Sequence, residues 1–292
     1  MILRTMGGTV LAVALLPGLA ARAEQVDQRR PAASDGTVEI ENPAGSVKVV
    51  GWSKAEVAVT GSLGRHAELT LTGGPRRTHV EVEVEGNPHG TRSDIEVHVP
   101  AGSRVSVESF AASIDVLEVT GAVTAETVNG SITVTGATEV SAESVNGSVE
   151  VSGPAVRLHA SAVNGSVTVR GARGELEADT VNGELHVAGG GPFDRAHLES
   201  VSGAVRFEGD VARHGILEAQ TVSGEVELAL PASVAADFTV STFSGSVSND
   251  FGAATYRTGR HSPEKEVTFS TNGGGAKVAV ETLSGGITLR KR

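Results

Sequence analysis

Acidic residues stand before copies of one short motif: Glu126 before Thr-Val-Asn-Gly, Glu143 before Ser-Val-Asn-Gly and Asp179 before Thr-Val-Asn-Gly. Carboxylates clustered in a cleft are what a carbohydrate-active enzyme uses as acid and base. These recur at the spacing of a repeat, however, so they read first as a solvated stripe along one edge of a regular scaffold. The other residues able to do chemistry are dispersed. Cysteine is absent, which removes a thiol nucleophile, and no G-x-S-x-G, phosphate loop or H-E-x-x-H occurs. His79, His89, His98, His159 and His186 lack ligand spacing. Gly189-Gly190-Gly191-Pro192-Phe193-Asp194 has the outline of a glycine-rich calcium repeat but occurs once, whereas such a site needs the unit stacked. No catalytic, metal or cofactor residues are therefore assigned.

The elements that carry these residues follow from the spacing. Ala112, Gly130, Gly147, Gly165, Gly183, Gly203, Gly224, Gly245 and Gly285 form one column, with steps of 18, 17, 18, 18, 20, 21, 21 and 40. A constant period of this size marks a repeat architecture. Within one period Ile132 and Val134 alternate with Thr133, and Val140 and Ala142 alternate with Ser141, so each period holds two short strands with one face inward. Two strands and two turns make one rung of a β-solenoid. An antiparallel meander built on Asn-Gly hairpins is the competitor. It is ranked second, because many short strands would have to close into a barrel or leave an apolar face bare.

In a stacked solenoid Asn129, Asn146, Asn164 and Asn182 lie above one another as a corner ladder, with Gly supplying a left-handed backbone. From there the column continues as Ser202, Ser223, Ser244 and Ser284, where hydroxyls replace the two-ended amides. The residue between the two core positions of the first strand runs Thr133, Glu150, Thr168, His186, Arg206, Glu227, Ser248 and Thr288. A column so mixed argues against an ice-binding threonine array and against a basic groove for an acidic polysaccharide.

Residues 1–23 carry Arg4, an apolar run from Val10 to Leu19 and Ala21-Arg22-Ala23, the pattern of a secretory signal peptide cleaved after Ala23. The apolar run is short for a bilayer span. The mature chain is expected to be soluble, and without Cys it has neither a thioether lipid anchor nor disulfides. Losing Arg4 and Arg22 takes the net charge from -11 to -13, which argues against nucleic acid and anionic lipid as partners.

The expected organisation is a short linker at 24–36, an irregular β-strand cap at 37–108 and solenoid repeats at 109–292. Trp52 belongs to the cap, where a large ring can plug an open core. The step of 40 contains an excursion at 248–270 with Tyr256, Arg257, Arg260 and His261, a candidate contact loop that also reads as a hairpin shielding the last rungs.

Four stretches together carry a resemblance: GSVKVVGWSKAEVAVTG (45–61), VPAGSRVSVES (99–109), the VNGSVxV rungs and FSTNGGGAKVAVETLSGGITL (269–289). The chain resembles the bacterial "putative adhesin" family of β-strand-repeat domains, likened to a toast rack, over roughly residues 35–290. The resemblance implies an exported envelope protein with an adhesive or scaffolding role, and it supplies no catalytic residues. The expectation is thus a non-enzymatic, all-β solenoid, periplasmic or at the cell surface, binding a polysaccharide or protein of the envelope as a monomer. A self-associating structural protein is the first alternative and a carbohydrate-active β-helix enzyme the second.

Overall fold

The computed structural model describes residues 24–85, 91–252, 256–257 and 265–292. The chain is all-β, and its strands form two sheets, one of thirteen strands and one of fourteen. Two strands at the edge of the first sheet and three at the edges of the second are antiparallel. Eleven parallel strands remain in each sheet, so the frame is eleven rungs.

Alternation builds each rung. In Ile132–Thr135 the side chains of Ile132 and Val134 are buried, and in Glu139–Ser144 those of Val140 and Ala142 are buried. Pairing is in register: Ile132 lies beside Val149 and Ile114, and Val140 beside Leu158. Like residues therefore stack on like along a continuous core between the sheets. A buried alanine at the second corner, Ala137, Ala155 and Ala172 in successive rungs, adds to the four core side chains that alternation predicts. Phe193 packs on Phe207 with ring centroids 5.6 Å apart, filling the rungs where the repeat lengthens.

Rung order departs from chain order at both ends. Thr37–Glu41 and Ala44–Trp52 pair with Arg104–Ser109 and Ala111–Leu117 on one side and with Arg77–Val84 and Ser93–Pro100 on the other. The first rung in sequence is thus second in space. At the other end Ala276–Ser284 and Ile287–Lys291 lie between the rung of Val211–Ser223 and Val226–Leu230 and that of Ala236–Ser244 and Val247–Asn249. The last rung in sequence is inserted beneath the one that precedes it.

Three expectations change. Residues 24–36 are not a linker, because Glu24–Pro31 is the outermost strand of the thirteen-stranded sheet, antiparallel to Glu56–Leu63. The 37–108 region is not an irregular cap throughout: it contains two regular rungs, closed by the antiparallel strands Glu56–Leu63 and Ala67–Gly74. Trp52 does not plug the core. It lies half-buried with its ring 4.9 Å from that of His98, and its Nε1 donates to the Glu56 carbonyl at 2.9 Å. The terminal strand carries Arg29, Arg30 and Pro31, residues that discourage strand addition at an open edge.

Candidate functional site

One corner of the rungs concentrates what is unusual about the surface. Asn146 Nδ2 donates to Asn129 Oδ1, Asn164 to Asn146 and Asn182 to Asn164, each at 3.0 Å. Ser202, Ser223, Ser284 and Ser244 continue the column in that spatial order. The carbonyls of these serines accept from the amides of Gly183, Gly203, Gly224 and Gly285. The corner glycines are not left-handed; the positive φ values belong to the opposite turn, at Gly136, Gly153 and Gly171. Glycine is required at the Asn corner because rungs touch there: a Cβ on Gly165 would stand 2.1 Å from the Gly147 carbonyl oxygen.

Beneath this corner runs a column of buried hydroxyls that motif reading missed. Ser144 Oγ donates to the Gly130 carbonyl at 2.8 Å, and Thr180 Oγ1 to that of Gly165 at 2.9 Å. These hydroxyls satisfy carbonyls of the neighbouring rung, which accounts for the Thr or Ser before three of the four Val-Asn-Gly copies, Ala162 standing in the fourth.

Beside the hydroxyls, the valine of Val-Asn-Gly faces outward. Phe110, Val145, Val163, Val201, Leu283 and Phe243 are all exposed, Phe110 by 62% and Phe243 by 50%, and they share one column with Val128, Val181 and Val222. Scattered surface apolars are ordinary; a file of them on successive rungs is not.

Two residues earlier on each strand lies an acidic row. Glu81, Glu41, Glu108, Glu126 and Glu143 are neighbours on five successive rungs. The row then runs through Ser161, Asp179 and Glu199, with Ser161 Oγ donating to Asp179 at 2.6 Å. Like charges side by side on adjacent strands are destabilising. Several other acids on the rungs have arginine partners: Arg157 bridges Glu139 and Glu175, and Arg170 meets Glu150, Arg206 Glu184 and Arg290 Glu227. Among the described residues no Lys or Arg pairs with the five glutamates. Partial burial, then repulsion from Glu143 and Glu108, holds the Glu126 carboxyl above the ordinary carboxylate range. Glu39, in contrast, is held low, first by its hydrogen bond from Arg77.

The acidic row and the apolar file are the two walls of a groove of about 870 Å³. Its lining includes Glu126, Glu143, Phe110, Val145 and Val163 and no Lys or Arg. The same columns form a smaller hollow of about 370 Å³ at the far end, around Glu199, Val222 and Phe243. A third, of about 650 Å³, lies under Arg157, Arg195, His159 and Glu177 and has mixed charge. At the start of the row the ligand atoms of Glu41, His79 and Glu81 lie within 4.8 Å of one another, so these three could meet a cation together. His79, when protonated, already serves as counter-charge to Glu81 at 3.3 Å and to Glu41 and Glu39 at 3.9 Å.

The contact-loop residues are placed only in part. Tyr256 and Arg257 form a short strand antiparallel to Lys265–Thr271, while Arg260 and His261, like His89, lie outside the described residues. The mixed column from Thr133 to Thr288 stacks on the opposite sheet, away from the groove.

The profile of the Toastrack DUF4097 family matches residues 28–290. The chain belongs to that family. No curated protein matches this toast-rack chain. Solved structures similar to it include a "putative adhesin" from Parabacteroides distasonis ATCC 8503, 12% identical, covering 91% of this chain and 97% of its own, at a TM-score of 0.44. Another "putative adhesin", from Parabacteroides merdae ATCC 43184, is 10% identical over 92% and 97%, at 0.43. A "putative cell adhesion protein" from Clostridium sporogenes ATCC 15579 is 9% identical over 92% and 100%, at 0.22. Similarity at that level carries no function, and the toast-rack assignment stands on the family profile and the strand pairing.

The acidic row makes a prediction about the toast-rack frame itself. Glu126→Gln removes the charge between Glu108 and Glu143 and raises stability at neutral pH by about 0.5 kcal/mol. The sign follows from linkage. A carboxyl held high in the folded state opposes folding once ionised, so wild type recovers stability as pH falls through the raised value towards the ordinary one. The gap between variant and wild type in urea midpoint is therefore widest at neutral pH, shrinks in acid and narrows with salt. A variant that is less stable than wild type at pH 7, or a gap indifferent to pH, would refute this account of the row.

Proposed function

We propose that this chain is a non-enzymatic, exported binding or scaffolding protein of the cell envelope, and that it holds its partner along the Val-Asn-Gly corner. The observation that carries the reading is the file of exposed apolar side chains beside an acidic row without Lys or Arg partners, on a frame rigid enough to keep both in line. Export rests on the signal-peptide pattern of residues 1–23, which lie outside the described residues.

Geometry favours binding over catalysis. The two carboxylates of a glycosidase must flank the scissile bond from opposite sides, about 5–10 Å apart. Glu126 and Glu143 instead lie on adjacent parallel strands about 4.8 Å apart, on the same wall of the groove, so a sugar ring cannot sit between them. The charged outermost strand Glu24–Pro31, with Arg29, Arg30 and Pro31 at its end, supports a monomer over an end-to-end polymer.

The test is co-sedimentation of the purified protein with separated peptidoglycan, outer-membrane vesicles and exopolysaccharide, at low and moderate salt. Saturable retention by one fraction, lost in a Val145→Ser/Val163→Ser variant, is the expected result. Retention unaffected by that variant would move the binding surface elsewhere, and release of reducing sugar from any fraction would overturn the non-enzymatic reading.

A further inference from the structure

We infer that the groove is built to take a basic amphipathic helix, lying along the solenoid axis with its cationic stripe on the glutamate row and its apolar stripe on the Phe110–Val163 file. The inference rests on the reading that this corner binds, and adds the chemistry of what it binds.

The charge argument is one of complementarity. Five consecutive rungs present Glu81, Glu41, Glu108, Glu126 and Glu143 to the groove, and no Lys or Arg among the lining residues offsets them. Several acids at other columns, Glu139, Glu150 and Glu184 among them, have arginine partners, so the frame tolerates repulsion here that it relieves there. Sites where a chain breaks its own local rules are where function is expected. A cationic partner relieves the repulsion, whereas an anionic lipid surface or nucleic acid would add to it.

The dimensions select a helix. Five rungs about 4.8 Å apart span about 19 Å, the length of a helix of about 13 residues. A helix presents one side chain to a given stripe every turn, about 5.4 Å, and so drifts from the rungs by only about 0.6 Å per step. Flexible Lys and Arg stems absorb that over five rungs. A fully extended peptide repeats a face every 6.6 Å or so and falls out of step with the rungs within three residues. On the strands of Glu108, Glu126 and Glu143 the acidic and apolar columns are two residues apart, again about 6.6 Å, the lateral separation of neighbouring stripes on a helix about 10 Å across; on the two outer rungs Pro43 and Glu83 take the place of the apolar residue. Helix-in-groove recognition uses this arrangement of anchors.

The probe is a fluorescent helix of about 13 residues made of Lys and Leu in amphipathic order. Its controls are the same composition scrambled to lose the apolar face and a Glu/Leu counterpart. Anisotropy with the purified protein should show saturable binding of the first alone at physiological ionic strength. Glu126→Gln/Glu143→Gln should weaken it about tenfold and Val145→Ser/Val163→Ser about fivefold. Thr133→Lys/Thr168→Lys, which changes net charge equally on the opposite sheet, should leave it within about twofold. Urea midpoints check that every variant is folded.

Binding of the scrambled probe as tightly as the ordered one, or loss in the opposite-sheet variant equal to that in the groove variants, would reduce the effect to diffuse charge and overturn the inference. If no helix binds while an envelope fraction is still retained by wild type and not by Val145→Ser/Val163→Ser, the helix chemistry is wrong and the corner remains the binding surface. If no helix binds and that variant retains the fraction as well as wild type, both fall.

Discussion

Gly165→Ala destabilises the protein by about 3 kcal/mol or more, although it adds a single methyl group. The cause is contact between rungs. A Cβ at Gly165 would lie 2.1 Å from the carbonyl oxygen of Gly147 and 2.5 Å from its carbon. Both are backbone atoms, held in place by the Asn146 to Asn164 amide bond beside them and by the parallel strand pairing of the two rungs. Neither rung can yield without breaking the stack. The comparison that isolates this cause is Gly136→Ala, at the opposite turn. There φ is +94° but the nearest atom to a new Cβ is 3.8 Å away, so the cost is confined to left-handed strain, about 1–2 kcal/mol. Denaturant midpoints of the two variants should differ clearly, with Gly165→Ala the worse. Equal, mild losses would mean that rungs at the Asn corner are not in contact.

Deleting residues 273–292 should unfold more than it removes. Among the described residues, Ala236–Ser244 pairs with the body of the solenoid only through Ala276–Ser284, and Val247–Asn249 only through Ile287–Lys291. Its other neighbour, Lys265–Thr271, belongs to the same outer group. Without the inserted rung, Phe238, Val240 and Val267, all fully buried, lose the layer beneath them. Amide exchange should therefore show residues 236–249 unprotected, while rungs from Arg104 to Glu208 keep their protection, because stability in a stack passes only between neighbours. If the rungs were stacked in chain order, the truncation would leave 236–244 protected.

That topology is the part of the fold least legible in the sequence. The period and the alternation of Ile132, Val134, Val140 and Ala142 specify a rung, and the in-register pairing follows from stacking like on like. Rung order does not follow, because the rungs are interchangeable where it matters: Ser284 and Ser244 offer the same backbone and the same hydroxyl to Ser223. The periodic positions therefore carry no mark of the inserted order. The role of the corner glycines was similarly hidden, since a left-handed turn and a close approach both demand glycine.

The site was half visible. Glu126, Glu143 and Asp179 show their period at once, but Glu81 and Glu41 join the row only through the reordered first rungs. The apolar file was readable by parity: Val128 stands two residues after the outward Glu126 and must share its face. Val-Asn-Gly draws attention to its turn chemistry and away from the valine.

The most direct test of the corner as the binding surface exploits the absence of cysteine, which lets a single introduced thiol be modified alone. Val163→Cys and Thr168→Cys place one on the exposed file and one on the opposite sheet, and each is capped with a bulky maleimide before co-sedimentation with the retaining envelope fraction. The capped Cys at 163 should lower retention about tenfold while the cap at 168 leaves it unchanged. Retention lost through position 168 and preserved through position 163 would contradict binding at the corner.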